Sequence, residues 1–240
     1  MRRADVLQVM DGLAREQWGL VTAGQVRAQG LEDRWLTTFV RGGVLTRVRL
    51  GVYRFTDRPP TPFEDIKAAW LHLDPSAPAS QRTAMDHFSG AVSHTTACRL
   101  WGLGLQALPN PPLIELTVQH HHHIGGLNLR LHTSTAGHPL AHEDTAVLDG
   151  HLPVTTARRT LVDLMRTETD PVVVGTVLAE AADRDLVDLD DMAEHLRHYA
   201  PQYGLPTAAF GEPLIAYLLG KTTDRGRAAM DHRIGRVFGR

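Results

Sequence analysis

Pro59, Pro60 and Pro62 put three prolines into four positions directly after Arg58. Such a stretch continues neither a helix nor a central strand, because each proline fixes φ and removes a backbone donor. The sequence therefore predicts a linker at 58–62 between an N-terminal segment, 1–57, and a body, 63–240. Ahead of the prolines the apolar period changes once. Val6, Met10, Leu13 and Ala14 recur at helical spacing, and Trp18-Gly19 closes that helix. Thr22-Ala23-Gly24-Gln25 is a capping-box pattern, in which a hydroxyl and an amide each satisfy a backbone N–H at a helix start. The short second helix stops at Gly30. Glu32 to Arg41 predicts a third helix with Leu36, Phe39 and Val40 on its buried side, ended by Gly42-Gly43. From there the period is two: Val44 to Arg49, a turn at Leu50-Gly51, then Val52 to Phe55, a β-hairpin.

Three helices followed by a two-stranded ribbon describe a winged helix-turn-helix, a module that lays its recognition helix in the major groove of DNA. The net charge of −2 does not argue against that, because it is unevenly spread. Residues 1–58 hold ten arginines against six acids, or +4, and the rest of the chain holds 15 basic against 21 acidic side chains, or −6. The DNA-binding set read from the sequence is Gln25 and Arg27 on the second helix, Arg34, Trp35, Thr37, Thr38 and Arg41 on the third, and Arg47, Arg49 and Arg54 on the ribbon. Arginine grips guanine with two hydrogen bonds and threonine offers a hydroxyl and a methyl, whereas the ribbon arginines suit phosphates. The competing reading is a solvated helix face with a protein-binding wing. Trp35 also suits a core anchor, and Glu32 and Asp33 suit N-capping rather than base contact.

With 42 % hydrophobic and 22 % charged residues in 240, the chain is excluded from the disordered and collagen-like classes. No apolar run approaches the ~18 residues of a membrane span, and the N-terminus lacks the apolar segment of a secretory signal. The expectation is a cytoplasmic protein with no membrane partner. A single cysteine, Cys98, cannot form an intrachain disulfide or a cysteine-based zinc cluster.

The expected fold class is α+β: the winged helix, then a mixed α/β domain that is helical from about 157. In the body, helices are expected over 63–73, 94–101, 157–165, 171–184, 189–199 and 213–219, with a frayed basic segment after Asp224. Strands are expected over 90–93, 113–118, 127–131, 146–148 and 152–155.

The stretch from Trp18 to Gly30, then Leu36 to Gly43 and Leu45 to Phe55, resembles the N-terminal domain of AbiEi-family antitoxins of type IV toxin-antitoxin systems. Ala91-Val-Ser-His-Thr-Thr-Ala97, Ile114-Glu-Leu-Thr-Val118, Leu129-Arg-Leu-His132 and Pro153 to Leu164 resemble the C-terminal region of its transcriptional-regulator-like members. The resemblance implies an antitoxin that represses its own operon through the winged helix and opposes an AbiEii-like nucleotidyltransferase toxin. Two places differ from the family's usual pattern: Glu32-Asp33-Arg34-Trp35 stands where relatives often have Ser followed by basic residues, and His120 to His123 where they often carry a basic run. The other expected readings are a stand-alone regulator without a toxin, and a protein-interaction or toxin-modifying module in which DNA binding is secondary. A homodimer would match a palindromic operator, although no heptad seam marks where it would form.

Other candidates carry a sharp and a bland reading. His120 to His123 could bind a metal, but adjacent side chains in a hairpin loop alternate in direction, which favours a solvated loop. Ser93, His94 and Asp163 supply the parts of a nucleophilic triad. No Gly-x-Ser-x-Gly, Gly-x-x-x-x-Gly-Lys or HExxH accompanies them, so neither catalysis nor a cofactor is expected. Cys98 suits a buried small hydrophobe. Arg158-Arg159 could hold a phosphate or a toxin carboxylate, or make a structural salt bridge. Seven acids lie between Glu180 and Glu194 against Arg184 alone. They form either a solvated face or a docking surface for a basic partner, including the chain's own basic tail, 225–240.

Overall fold

The computed structural model describes residues 2–110, 112–120, 128–206 and 211–238. They form a mixed α+β structure with ten α-helices and two sheets, in two compact units: Met1–Val92 with Leu116–Val154, and Ser93–Glu115 with Thr155–Arg240.

The first unit opens with α1 (Arg3–Arg15), which buries Val6, Met10 and Ala14. β1 (Leu20–Thr22) leads into α2 (Ala23–Ala28), whose predicted capping box is present: Thr22 Oγ1 accepts from the Gln25 N–H and Gln25 Oε1 from the Thr22 N–H, both at 3.1 Å. α3 (Arg34–Arg41) turns Leu36 and Phe39 inward, each burial stabilising by about 1.5–3 kcal/mol. β2 (Leu45–Arg49) and β3 (Val52–Phe55) form the expected hairpin with Gly51 at φ 73°, and β1 pairs antiparallel with β3 to give the order β1-β3-β2. The third strand, β1, was not expected from the sequence. One core joins Val6, Met10, Val21, Val26, Leu36, Phe39, Leu45, Tyr53 and Phe55.

α4 (Glu64–Leu73) packs against all three of these strands. The units therefore do not part at 58–62. An ion pair spans the prolines, Arg54 Nε to Glu64 Oε1 at 3.2 Å, and Lys67 on α4 donates from Nζ to Thr61 Oγ1 within the stretch at 3.2 Å. Lys67 is only 1 % exposed, pairs with Asp149 and faces the Trp18 ring.

Beyond α4, the loop over 75–79 closes on the start of α2. Gln17 and Gln25 exchange amide hydrogen bonds of 2.6 and 2.9 Å. Gln25 Nε2 also donates to Ala77 O, Gln17 Oε1 accepts from Ala79 N, and Thr22 Oγ1 donates to Pro75 O. Arg82 lies 3.8 Å from the Trp70 ring centroid; burial lowers its pKa to about 10, leaving it charged at neutral pH. The second sheet has the order β6-β5-β4-β8-β7, from β4 (Gly90–Val92), β5 (Ile114–Val118), β6 (Leu129–Thr133), β7 (Thr145–Leu148) and β8 (Leu152–Thr155). β4 runs antiparallel to β5 and parallel to β8.

The second unit is helical: α5 (His94–Trp101), α6 (Ala157–Arg166), α7 (Pro171–Asp183), α8 (Leu189–Leu196), α9 (Glu212–Gly220) and α10 (Asp224–Phe238). Its core gathers Cys98, Leu103, Leu161, Leu164, Val174, Val177, Leu178, Met192, Leu196, Leu214 and Leu218. Two expectations change here. The helix expected over 189–199 ends at Leu196 and continues as a 3-10 turn, Arg197–Tyr203, which Pro201 interrupts. The basic segment expected to fray is instead the continuous helix α10, which docks on α7 through Arg225 Nε to Glu180 Oε1 at 3.4 Å and His232 Nδ1 to Asp183 Oδ1 at 2.7 Å. Two of the seven acids thus meet the chain's own tail.

Candidate nucleic-acid interface

The face of α3 turned away from the core presents Arg34, Thr37, Thr38 and Arg41, all exposed. The amphipathic spacing dictates this, since Leu36 and Phe39 fix the opposite side. Thr38 spends its hydroxyl proton on Arg34 O at 2.8 Å and leaves its methyl and lone pairs outward. Trp35 is half-buried and stacks on Phe39 with centroids 5.8 Å apart, so it anchors the helix to the core. The hairpin packs on α3 through β2 and leaves Arg47 exposed, its guanidinium 6.0 Å from the Tyr53 ring.

Three members of the sequence-read set leave the face. Gln25 is 1 % exposed and saturated by Gln17, Thr22 and Ala77, so it cannot reach a nucleic acid. Arg54 is largely covered, pairing with Glu64 and donating to Arg58 O at 2.9 Å. Arg49 is half-buried, with Nε and Nη2 lacking hydrogen-bond partners among the described residues; burial lowers its pKa from the ordinary value, against the pull of Asp65. A bulge between Arg47 and Arg49 breaks the ribbon's register at that point.

The remaining arginines divide by partner. Arg27 bonds Asp33, and Arg34 pairs with Glu32 at 2.8 Å. The expected N-capping role of these acids is corrected, because Asp33 occupies the cap position of α3 without a side-chain cap bond. Arg41 and Arg47 have no acidic partner among the described residues. Arg3, which the sequence reading passed over, joins them: its guanidinium lies 5.4 Å from the Phe39 ring and beside Gly42, at the C-terminal end of α3. Its signal was weak in the sequence, since Arg3 precedes the first apolar residue of α1.

Residues 8–56 match the family model for the AbiEi antitoxin, a transcriptional regulator. The AbiEi match runs from within α1 to just past β3 and holds every exposed arginine of the face except Arg3. It covers about one fifth of the chain and does not extend to the body, where a likeness to the same family was expected over Ala91 to Leu164. No curated protein matches the chain.

Outside this face, the candidates resolve residue by residue. Asp163 bonds Arg159 Nε at 2.9 Å inside the helical unit, which gives Arg159 the structural salt bridge rather than an external anion. His94 Nδ1 bonds the neighbouring Ser93 Oγ at 2.9 Å, and Thr95 donates from its N–H and its hydroxyl to the buried carboxylate of Glu115 at 3.1 and 2.5 Å. Cys98 is buried, and burial pushes its thiol pKa up. His121 to His123 lie outside the described residues. No helix among the described residues is long and apolar enough to cross a membrane.

Proposed function

We propose that this chain is a DNA-binding antitoxin-type regulator that represses its own operon. In this reading residues 1–57 are a winged helix-turn-helix, α3 is the recognition helix and the β2–β3 hairpin is the wing. The observation that carries the reading is a coincidence: the AbiEi match falls on the segment whose exposed helix face is flanked by arginines that have no acidic partner among the described residues. Arg41, Arg47 and Arg3 contact phosphates, Thr37 and Thr38 meet base edges, and repression works by occupancy of double-stranded DNA without a cofactor. The protein acts in the cytoplasm, and a homodimer would suit a palindromic operator. The body would carry the second activity, opposition to an AbiEii-like nucleotidyltransferase toxin.

A gel shift with DNA upstream of its own gene, titrated over salt, tests this. Arg41→Ala is expected to weaken binding and flatten the slope of log K against log salt by about 1, in line with one lost phosphate contact. Parental binding by both Arg41→Ala and Arg47→Ala would reject α3 and the hairpin as the docking surface. The toxin arm is separable: the full-length Arg41→Ala/Arg47→Ala protein should still rescue cells from the toxin. Full length matters, because cutting at the prolines would strip α4 of the strands it packs on.

A further inference from the structure

The two acids that precede α3 hold two arginines of the proposed DNA face. Arg27 directs Nη1 at both oxygens of Asp33, 3.1 and 2.9 Å away, and Arg34 Nη2 lies 2.8 Å from Glu32 Oε1. All four side chains are at least 55 % exposed, so the fold gains little from them. Asp33 makes no cap bond that would account for its place. What the acids do alter is the local field. The N-terminal end of α3 gathers two cations and two anions and sums to zero, whereas its C-terminal end and the hairpin present Arg41, Arg3 and Arg47, which have no acidic partner among the described residues. A recognition helix brings its N-terminal residues nearest the groove, and carboxylates there act on phosphates within a screening length of about 10 Å at 0.1 M salt.

We propose that Glu32 and Asp33 are a specificity brake: by pairing with Arg34 and Arg27 they withhold two arginines from phosphates and suppress sequence-independent DNA binding. The inference rests on reading α3 as the DNA-facing helix. Specificity is a difference of affinities, and lowering the affinity for every wrong site widens it as effectively as new contacts on the right one.

The test is the full-length Glu32→Gln/Asp33→Asn protein, titrated against a mixed-sequence duplex and against the upstream duplex over a salt series. Each released arginine that reaches a phosphate adds about 0.9 to the salt slope, so the slope on the mixed duplex should steepen by about 1 to 2, with affinity rising about tenfold at low salt. The upstream duplex should gain less, so that the ratio of the two affinities falls. Adding Arg27→Ala and Arg34→Ala to the double variant should return the slope to the parent's. A gain in binding does not arise from misfolding. Unchanged slope and affinity on the mixed duplex would overturn the proposal, as would equal gains on both duplexes. If the parent shows no salt-dependent binding to either duplex, the DNA-facing reading of α3 falls and the brake falls with it. Arg41→Ala weakening the parent while the double variant stays unchanged would reject the brake alone.

Discussion

Gly24→Ala separates tertiary packing from helix propensity, because the two predict opposite signs. Gly24 lies in the first turn of α2, where alanine would stabilise an isolated helix by about 1 kcal/mol over glycine. A Cβ at this position would overlap Pro75 O, come within 2.5 Å of the Pro75 carbonyl carbon and 2.9 Å of Ser76 N. These are backbone atoms and cannot rotate aside, so the loop over 75–79 must retreat. Overpacking of this kind costs about 1–3 kcal/mol. The retreat also endangers three hydrogen bonds to that loop, from Thr22 and Gln25 to Pro75 and Ala77, and from Ala79 to Gln17, each contributing about 1 kcal/mol. Even after the propensity gain, a net loss of about 2–4 kcal/mol is expected. Gly12→Ala is the internal control: it lies within α1 and a Cβ there meets nothing within 4 Å, so a gain of about 0.5–1 kcal/mol is expected. Urea unfolding followed by tryptophan fluorescence reads the right region, since Trp18 and Trp70 pack edge to face with centroids 6.1 Å apart. If Gly24→Ala raised the midpoint as Gly12→Ala should, the close approach of the 75–79 loop to α2 would be refuted.

Asp163→Asn should destabilise the helical unit by about 3–5 kcal/mol, because it breaks a buried ion pair with Arg159, and thermal unfolding by circular dichroism measures it. Acid should weaken the first unit through His72 on α4, whose pKa lies below the usual 6.5 because of burial and then the nearby Arg49. A lowered histidine pKa means that the unfolded chain takes up the proton first, so stability is lost as pH falls from about 6.5 through the folded value. His72→Asn should therefore show a smaller drop in urea midpoint between pH about 7.5 and about 5 than the parent, and an equal drop would exclude His72 as a source.

The N-terminal elements were legible because short-range chemistry determines them. The Thr22–Gln25 capping box, the stop at Gly42-Gly43 and the Leu50-Gly51 turn each need only a few neighbouring residues to be recognised, and the structure holds all three. What escaped was long-range. β1 has only three residues, too few for a period, and is a strand because β3 supplies its partners. Gln25 looked like a polar residue on a short exposed helix, yet its amide is consumed by Gln17, eight residues earlier, and by Ala77, 52 residues later. The prolines break regular structure as expected, but a break in the backbone does not separate cores, and α4 settles directly on the hairpin that precedes them.

The arginines carry the same lesson into the candidate site. A sequence count of ten arginines against six acids gives a positive head, but it does not say which charges remain available. Arg2, Arg15, Arg27, Arg34, Arg54 and Arg58 are spent on Asp5, Asp11, Asp33, Glu32 and Glu64. Among the described residues the charge left over belongs to Arg3, Arg41 and Arg47 at one end of α3 and on the hairpin, where Arg49 is half-buried. A salt titration of the parent protein thus reads the structure directly. If the paired arginines stay paired on DNA of any sequence, the slope on a mixed duplex should be near 2.7, from Arg3, Arg41 and Arg47 at about 0.9 per contact, rather than near 4.5. A slope of about 4.5 would mean that Arg27 and Arg34 also reach phosphates on any sequence, and that Glu32 and Asp33 restrain nothing.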